Sequence, residues 1–154
     1  MAAESPSIHA NAVLIGAKAV LIRGPSGSGK SQLAWDLLMA AGSALPFARL
    51  VADDRCHLEA LGSRLLVRPA PALAGLIEIR GLGIRRVLCE PVAVVGLIID
   101  LGAADAARLP AQAAETAVIS GVSVPRLMAA PREDAVPLIL AWLGTVAGMS
   151  PSGN

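Results

Sequence analysis

The chain has 154 residues, 55% of them hydrophobic and 16% charged, with a formal net charge of +1. That length supports one domain with a full core, and the aliphatic bias (one Phe, two Trp, no Tyr) makes that core one of Ala, Val, Leu and Ile. Near-neutral charge and scarce aromatic rings exclude an electrostatic nucleic-acid or anionic-membrane surface and a base-stacking platform.

Residues 1–7 read as a flexible lead-in, 8–149 as one domain and 150–154 as a flexible tail. Aliphatic runs at 12–15 and 19–23, separated by Gly16-Ala17-Lys18, predict a hairpin. From Ser31 onward Leu33, Leu37, Leu38 and Ala41 recur on one side, which predicts a helix stopped near Gly42. Residues 50–52 form a short apolar run ending in Asp53-Asp54. Residues 56–60 and 64–68 flank Leu61-Gly62-Ser63 as a second hairpin. Pro69-Ala70-Pro71 precedes a run at 77–79, and Gly81-Leu82-Gly83 precedes another at 84–88. Residues 92–99 are apolar without alternation, as expected of a strand covered on both faces at the centre of a sheet. Residues 103–109 and 134–146 are the later helical candidates. Strands mixed with helices, some joined as hairpins, point to an α/β fold with a mixed sheet.

The apolar stretches at 91–99 and 135–149 fall short of the roughly 20 residues of a spanning helix. No basic segment followed by an apolar one marks a secretory leader. Cys56 and Cys89 lack metal-ligand spacing and read as free thiols in a reducing compartment. The expectation is a soluble cytoplasmic protein.

Gly24-Pro25-Ser26-Gly27-Ser28-Gly29-Lys30-Ser31 fits G-x-x-x-x-G-K-[ST] in full, between a predicted strand and a predicted helix. The glycines let successive N–H groups point at phosphate oxygens, and the helix N-terminus adds its positive dipole end. Lys30 is placed to reach the β- and γ-phosphates, and the Ser31 hydroxyl to ligate Mg²⁺. Such a loop needs an acidic partner, and two candidates end apolar strands: Asp53-Asp54 and Asp100. Asp100 reads more readily as the cap of the next turn. In the pair, consecutive residues face opposite ways, so one could address a metal and the other act as a base. Glu78 and Arg80 flank Ile79 on one strand face before Gly81-Leu82-Gly83, equally readable as a site or as a surface ion pair. His9 alone is uninformative.

Taken together, Ile8-His9, the phosphate loop, Leu50-Val51-Ala52-Asp53-Asp54 and the run Leu76-Ile77-Glu78-Ile79-Arg80-Gly81-Leu82-Gly83-Ile84 resemble HPr kinase/phosphorylase, specifically its C-terminal catalytic domain in a truncated bacterial form. The resemblance extends from about Ser7 to Pro131, with a weaker echo at Val124-Pro125-Arg126. It implies a P-loop kinase fold and a kinase that phosphorylates a serine of the phosphocarrier HPr with ATP or pyrophosphate and Mg²⁺. Removal of that phosphate by inorganic phosphate is the second implied reaction, and assembly as a homo-oligomer, a hexamer in the family, the implied state. By position, Asp53 matches the family's catalytic acid and base with His9 beside it. Ser31 matches a metal ligand supported by Asp54 and Glu78, Arg80 belongs to the signature loop, and Arg108 matches a phosphate-binding arginine. Pro131-Arg132-Glu133-Asp134 departs from the family's turn before the final helix. The residues alone leave two other readings, a small-molecule kinase and a nucleotide-binding regulatory module without phosphotransfer.

Overall fold

The computed structural model describes residues 7–41, 43, 47–102, 115–131 and 133–145. Eleven strands and two helices follow in chain order among these residues. The first six strands are β1 (Ser7–Ile8), β2 (Ala10–Ile15), β3 (Lys18–Arg23), β4 (Ala48–Ala52), β5 (Cys56–Leu61) and β6 (Arg64–Pro69), with helix α1 (Lys30–Met39) between β3 and β4. Then come β7 (Leu76–Ile79), β8 (Gly83–Arg86), β9 (Ala93–Leu101), β10 (Thr116–Ile119), β11 (Val122–Ala129) and helix α2 (Val136–Gly144).

The main sheet runs β1-β5-β6-β9-β3-β2-β4, and β11 joins β9 in parallel while pairing β10 as a hairpin. The two expected hairpins are present: Ala10 pairs Arg23 through to Ile15 with Lys18, and Cys56 pairs Pro69 through to Leu61 with Arg64. β3 lies parallel to β9, whereas β6 runs antiparallel to it, so the sheet is mixed as the sequence predicts. The central strand of residues 92–99 is β9, flanked by β3 on one side and by β6 and β11 on the other.

Gly96 decides how β9 serves both faces. The pairing with β3 shifts between Ala19–Val95 and Val20–Leu97, leaving Gly96 as the extra residue. A Cβ there would sit 2.7 Å from the Lys18 Cβ, so only glycine fits. A one-residue bulge reverses the side-chain parity of the rest of the strand. Ala93 and Val95 therefore pack on one face with Leu21, Val51, Leu65 and Val67. Leu97, Ile99 and Leu101 pack on the other with Val20, Ile22, the α1 residues Leu33, Ala34 and Leu37, and Ile139 of α2. Two aliphatic cores result, one on each side of the sheet.

Several boundaries differ from the sequence reading. Ser7 pairs His57, so the lead-in ends one residue earlier than expected. Residues 1–6, the helix expected at 103–109 and the tail at 150–154 lie outside the described residues, as does Gly42. The run at 84–88 gives β8 over 83–86, which is exposed along its length and, among the described residues, pairs with β7 as a separate two-stranded sheet. The β10–β11 hairpin was not anticipated; its Pro125 is accommodated opposite Thr116 of β10. Both cysteines are free, and burial pushes the Cys56 thiol up to about 12. No helix among the described residues is long and apolar enough to cross a membrane.

Candidate active site

The sheet delivers three chain segments to one edge. β3 ends at Arg23 and passes into the glycine-rich loop, whose Gly27 and Gly29 take φ of +79° and +97° with open space where a Cβ would stand. L-residues rarely adopt that conformation, so the glycines hold the loop open. Gly24 serves differently: a Cβ on it would lie 2.5 Å from the Ser28 hydroxyl and 3.0 Å from the Leu101 carbonyl. The loop closes on itself through the Ser28 N–H, which donates to the Pro25 carbonyl (3.0 Å). The Lys30 ammonium donates to the Gly24 and Pro25 carbonyls at 2.9 and 3.2 Å. The Ser28 hydroxyl is buried with no hydrogen-bond partner in the structure.

Beside this loop, β4 ends and the chain turns through Asp53 and Asp54. One carboxylate is buried and the other exposed, a difference set by the turn after β4 rather than by strand alternation. Asp53 is 7% exposed, and its Oδ1 accepts from the Ser31 hydroxyl at 2.7 Å and from the Asn11 carboxamide in a short hydrogen bond. Its Oδ2 accepts from the Glu78 backbone N–H at 3.0 Å. Asp54, with φ of +68°, turns its side chain outward. Its Oδ1 lies 3.8 Å from His9 Nδ1, and both side chains are about two-thirds exposed, at 65% and 67%.

An open cavity of about 920 Å³ lies here, with Asp54 on its wall and Asp53 behind it, hydrogen-bonded to Ser31. Its wall contains His9, Asn11, the loop, Ser31, Asp54 and, from the β7–β8 hairpin, Glu78, Ile79 and Arg80. Gln32 and Trp35 of α1 complete it. The structure thus brings together every predicted site residue it describes, with one exchange. His9 was expected beside Asp53 as the base, but it stands beside Asp54. Asp53 is enclosed by three donors and points at the Ser31 hydroxyl instead. Arg108 lies outside the described residues.

Asp100 does not cap the turn: its carboxylate is taken up by two arginines. It lies within β9 opposite Arg23 of β3 and receives both Nε (2.7 Å) and Nη2 (2.8 Å) of that guanidinium. Arg126 Nε of β11 donates to the same carboxylate at 2.5 Å. Burial acts to raise the Asp100 pKa, but the hydrogen bonds and charges of Arg23 and Arg126 outweigh it and hold the carboxyl below its ordinary value. A carboxylate with a lowered folded pKa stabilises the fold above its unfolded pKa, near 4, and that stability is lost as pH falls through the folded value. Asp100→Asn should therefore cost about 2–4 kcal/mol near neutral pH by removing the charge that Arg23 and Arg126 share at this carboxylate. Urea midpoints measured against pH should show the gap to wild type closing below pH of about 4.

Sequence reasoning missed Asn11, Gln32 and Trp35. The signal for Asn11 was present: a carboxamide inside the aliphatic strand Ala10–Ile15 needs partners that the strand cannot supply. Gln32 and Trp35 follow the loop on α1 and carry no motif.

The donor set suits a hard cation bound together with a polyphosphate. Among the described residues no three of His, Cys, Asp and Glu are grouped to hold an ion by themselves. Mg²⁺ is ordinarily held by one or two protein oxygens plus substrate phosphates and water. The Ser31 hydroxyl beside Asp53, at the foot of an open phosphate loop, meets that requirement.

A family model for the HPr serine kinase C-terminal domain matches residues 1–90. Two proteins named HPr kinase/phosphorylase, from Levilactobacillus brevis and Pediococcus pentosaceus, are each 42% identical over 83 residues. The aligned part is 53% of this chain and 25% of either relative, so the chain spans about a quarter of their length. The solved structure of the Hpr(Ser) kinase/phosphatase from Coxiella burnetii superposes with a TM-score of 0.71 at 27% identity, covering 91% of this chain and 95% of that one.

Proposed function

Because the chain belongs to the HPr serine kinase C-terminal domain family, we propose that it is an ATP-dependent kinase that phosphorylates a serine of an HPr-like phosphocarrier protein. The observation that carries this reading is the convergence on one cavity of an open phosphate loop, a Ser31–Asp53 pair and a separate, exposed His9–Asp54 pair. A module that only binds nucleotide needs the loop; it has no use for a second carboxylate facing the solvent side of the same cavity.

The loop N–H groups and the α1 N-terminus receive the phosphates, and Lys30 leaves the Gly24 and Pro25 carbonyls for the β- and γ-phosphate oxygens. Ser31, with support from Asp54 and Glu78, would hold Mg²⁺, whose charge would offset that of the transferring phosphate. Asp53 accepts a hydrogen bond from the Ser31 hydroxyl and so leaves that oxygen's lone pairs free for a cation. Asp54 takes the proton of the attacking serine as its oxygen bonds to the γ-phosphorus and the bond to the ADP oxygen breaks. His9 fixes the direction of Asp54. In reverse, inorganic phosphate attacks the phosphoserine, Asp54 returns the proton to the serine oxygen, and pyrophosphate leaves; this is the phosphorylase reaction. Pyrophosphate can serve as donor because the loop reads phosphates and not a base.

Glu78 and Arg80 stand on the acceptor side, at the β7–β8 hairpin, where Arg85 and Arg86 of the exposed β8 would meet acidic groups of a protein acceptor. We further propose a homo-oligomer, a hexamer by family resemblance, in the cytoplasm; α2 leaves Trp142 and Leu143 at 38% and 36% exposure. Incubation with γ-labelled ATP and Mg²⁺, once with HPr-like proteins of the source genome and once with a metabolite extract, tests the reading. Label on protein supports it. Label only on a metabolite favours a small-molecule kinase, and bound ATP without transfer favours a regulatory module.

A further inference from the structure

Asn11 is fully buried in β2 among aliphatic neighbours. A carboxamide in such a place destabilises the fold unless its polar atoms are paired. All of its pairing goes to the candidate active site. Nδ2 donates to Asp53 Oδ1 in a short hydrogen bond and lies 3.4 Å from the Ser31 hydroxyl oxygen. Oδ1 accepts the Asp54 backbone N–H at 3.0 Å. On the other side of the same residue, the Ala10 N–H donates to the Asp54 carbonyl at 3.2 Å.

Asp53 and Asp54 lie beyond the end of β4, so no strand ladder continues through them. Asp54 also sits at φ of +68°, a conformation uncommon for any residue but glycine. Its N–H donates to Asn11 and its carbonyl accepts from Ala10, while the turn itself closes through the Arg55 N–H, which donates to the Asp53 carbonyl at 2.8 Å. One buried side chain therefore links the phosphate-loop serine, the carboxylate that orients it and the backbone that turns the second carboxylate outward.

We propose that Asn11 is a positioning residue of the phosphotransfer site. Its carboxamide locks Ser31, Asp53 and Asp54 in one arrangement, so that the metal-directed oxygen and the proton acceptor face the same cavity. The inference rests on reading that cavity as a phosphotransfer site. The competing account is that Asn11 merely satisfies itself inside the sheet, and that account predicts a loss of stability without a change in metal dependence.

Leu has the same number and branching of side-chain heavy atoms as Asn and removes every bond of the Asn11 side chain, leaving the Ala10 backbone bond in place. Nucleotide affinity of the full chain is to be measured by calorimetry with and without Mg²⁺, for wild type, Asn11→Leu and Asn11→Ser. Asn11→Leu should leave metal-free nucleotide affinity within about twofold, because the loop backbone is untouched. The gain in affinity on adding Mg²⁺ should fall about tenfold, and kcat about 10- to 100-fold, the range expected for unpairing buried polar groups. Asn11→Ser, which keeps one donor, should fall between. If folded Asn11→Leu shows a lowered thermal midpoint but keeps the wild-type Mg²⁺ gain and kcat, the proposal is overturned. Should Asn11→Leu not fold, Asn11→Ser decides by the same Mg²⁺ gain. A wild type that binds Mg²⁺-nucleotide yet phosphorylates no acceptor defeats the kinase reading alone, since the Mg²⁺ gain of the variants still judges Asn11.

Discussion

Lys30→Ala should lower phosphotransfer about 10³-fold, because it removes the one cation of the loop itself from the place where charge develops. In the structure that ammonium rests on the Gly24 and Pro25 carbonyls, so it is already gathered over the loop. Those two contacts also tie the loop together, and a loss of activity could come from a loosened loop. Lys30→Met separates the causes, since its length packs where the lysine stem packs but it carries no charge. Equal losses in both variants, with thermal midpoints near wild type, assign the effect to charge. Turnover near normal in either would place the phosphate site elsewhere.

The two carboxylates should separate in kinetics as they do in space. Asp54→Asn should lower kcat by about 10²- to 10⁴-fold with nucleotide affinity nearly unchanged, as expected when a general base acting on the acceptor is removed. Asp53→Asn should behave differently. Asn11, Ser31 and the Glu78 N–H all donate to this group, and a carboxamide would turn its own NH₂ against at least one of them. Its mark should be a raised Mg²⁺ requirement, with stability lowered as well. If instead Asp53→Asn abolishes turnover at saturating Mg²⁺ while Asp54→Asn is nearly silent, the roles revert to those the family resemblance implies.

That exchange shows where sequence stops being informative. The phosphate loop was fully legible because its spacing and its flanking strand and helix encode backbone geometry directly, and the structure places β3 and α1 around it. The central position of β9 was legible from its unbroken apolar run. Strand alternation suggested opposite directions for Asp53 and Asp54, but the strand ends at Ala52, and the sequence did not tell which one faces the cavity. That depends on the φ of +68° at Asp54 and on Asn11, a partner 43 positions away in the chain. Asp100 is a similar case. Its neighbours in sequence suggest a turn cap, while its partners Arg23 and Arg126 arrive only through the parallel pairings of β9 with β3 and β11. Parity within β9 was hidden too, since Gly96 looks like any strand glycine until Lys18 is placed against it.

The central claim is that Asp54 and the phosphate loop act on one acceptor serine across the same cavity. Its most direct measurement is transfer from γ-labelled ATP to a purified HPr-like protein of the source genome, with the labelled residue identified by fragmentation mass spectrometry. The account predicts label on a single serine, none when that serine is replaced by Ala, and loss of the label with release of pyrophosphate when excess inorganic phosphate is added. Label appearing on no serine of any HPr-like protein, while the same enzyme passes phosphate to a free metabolite, would contradict it.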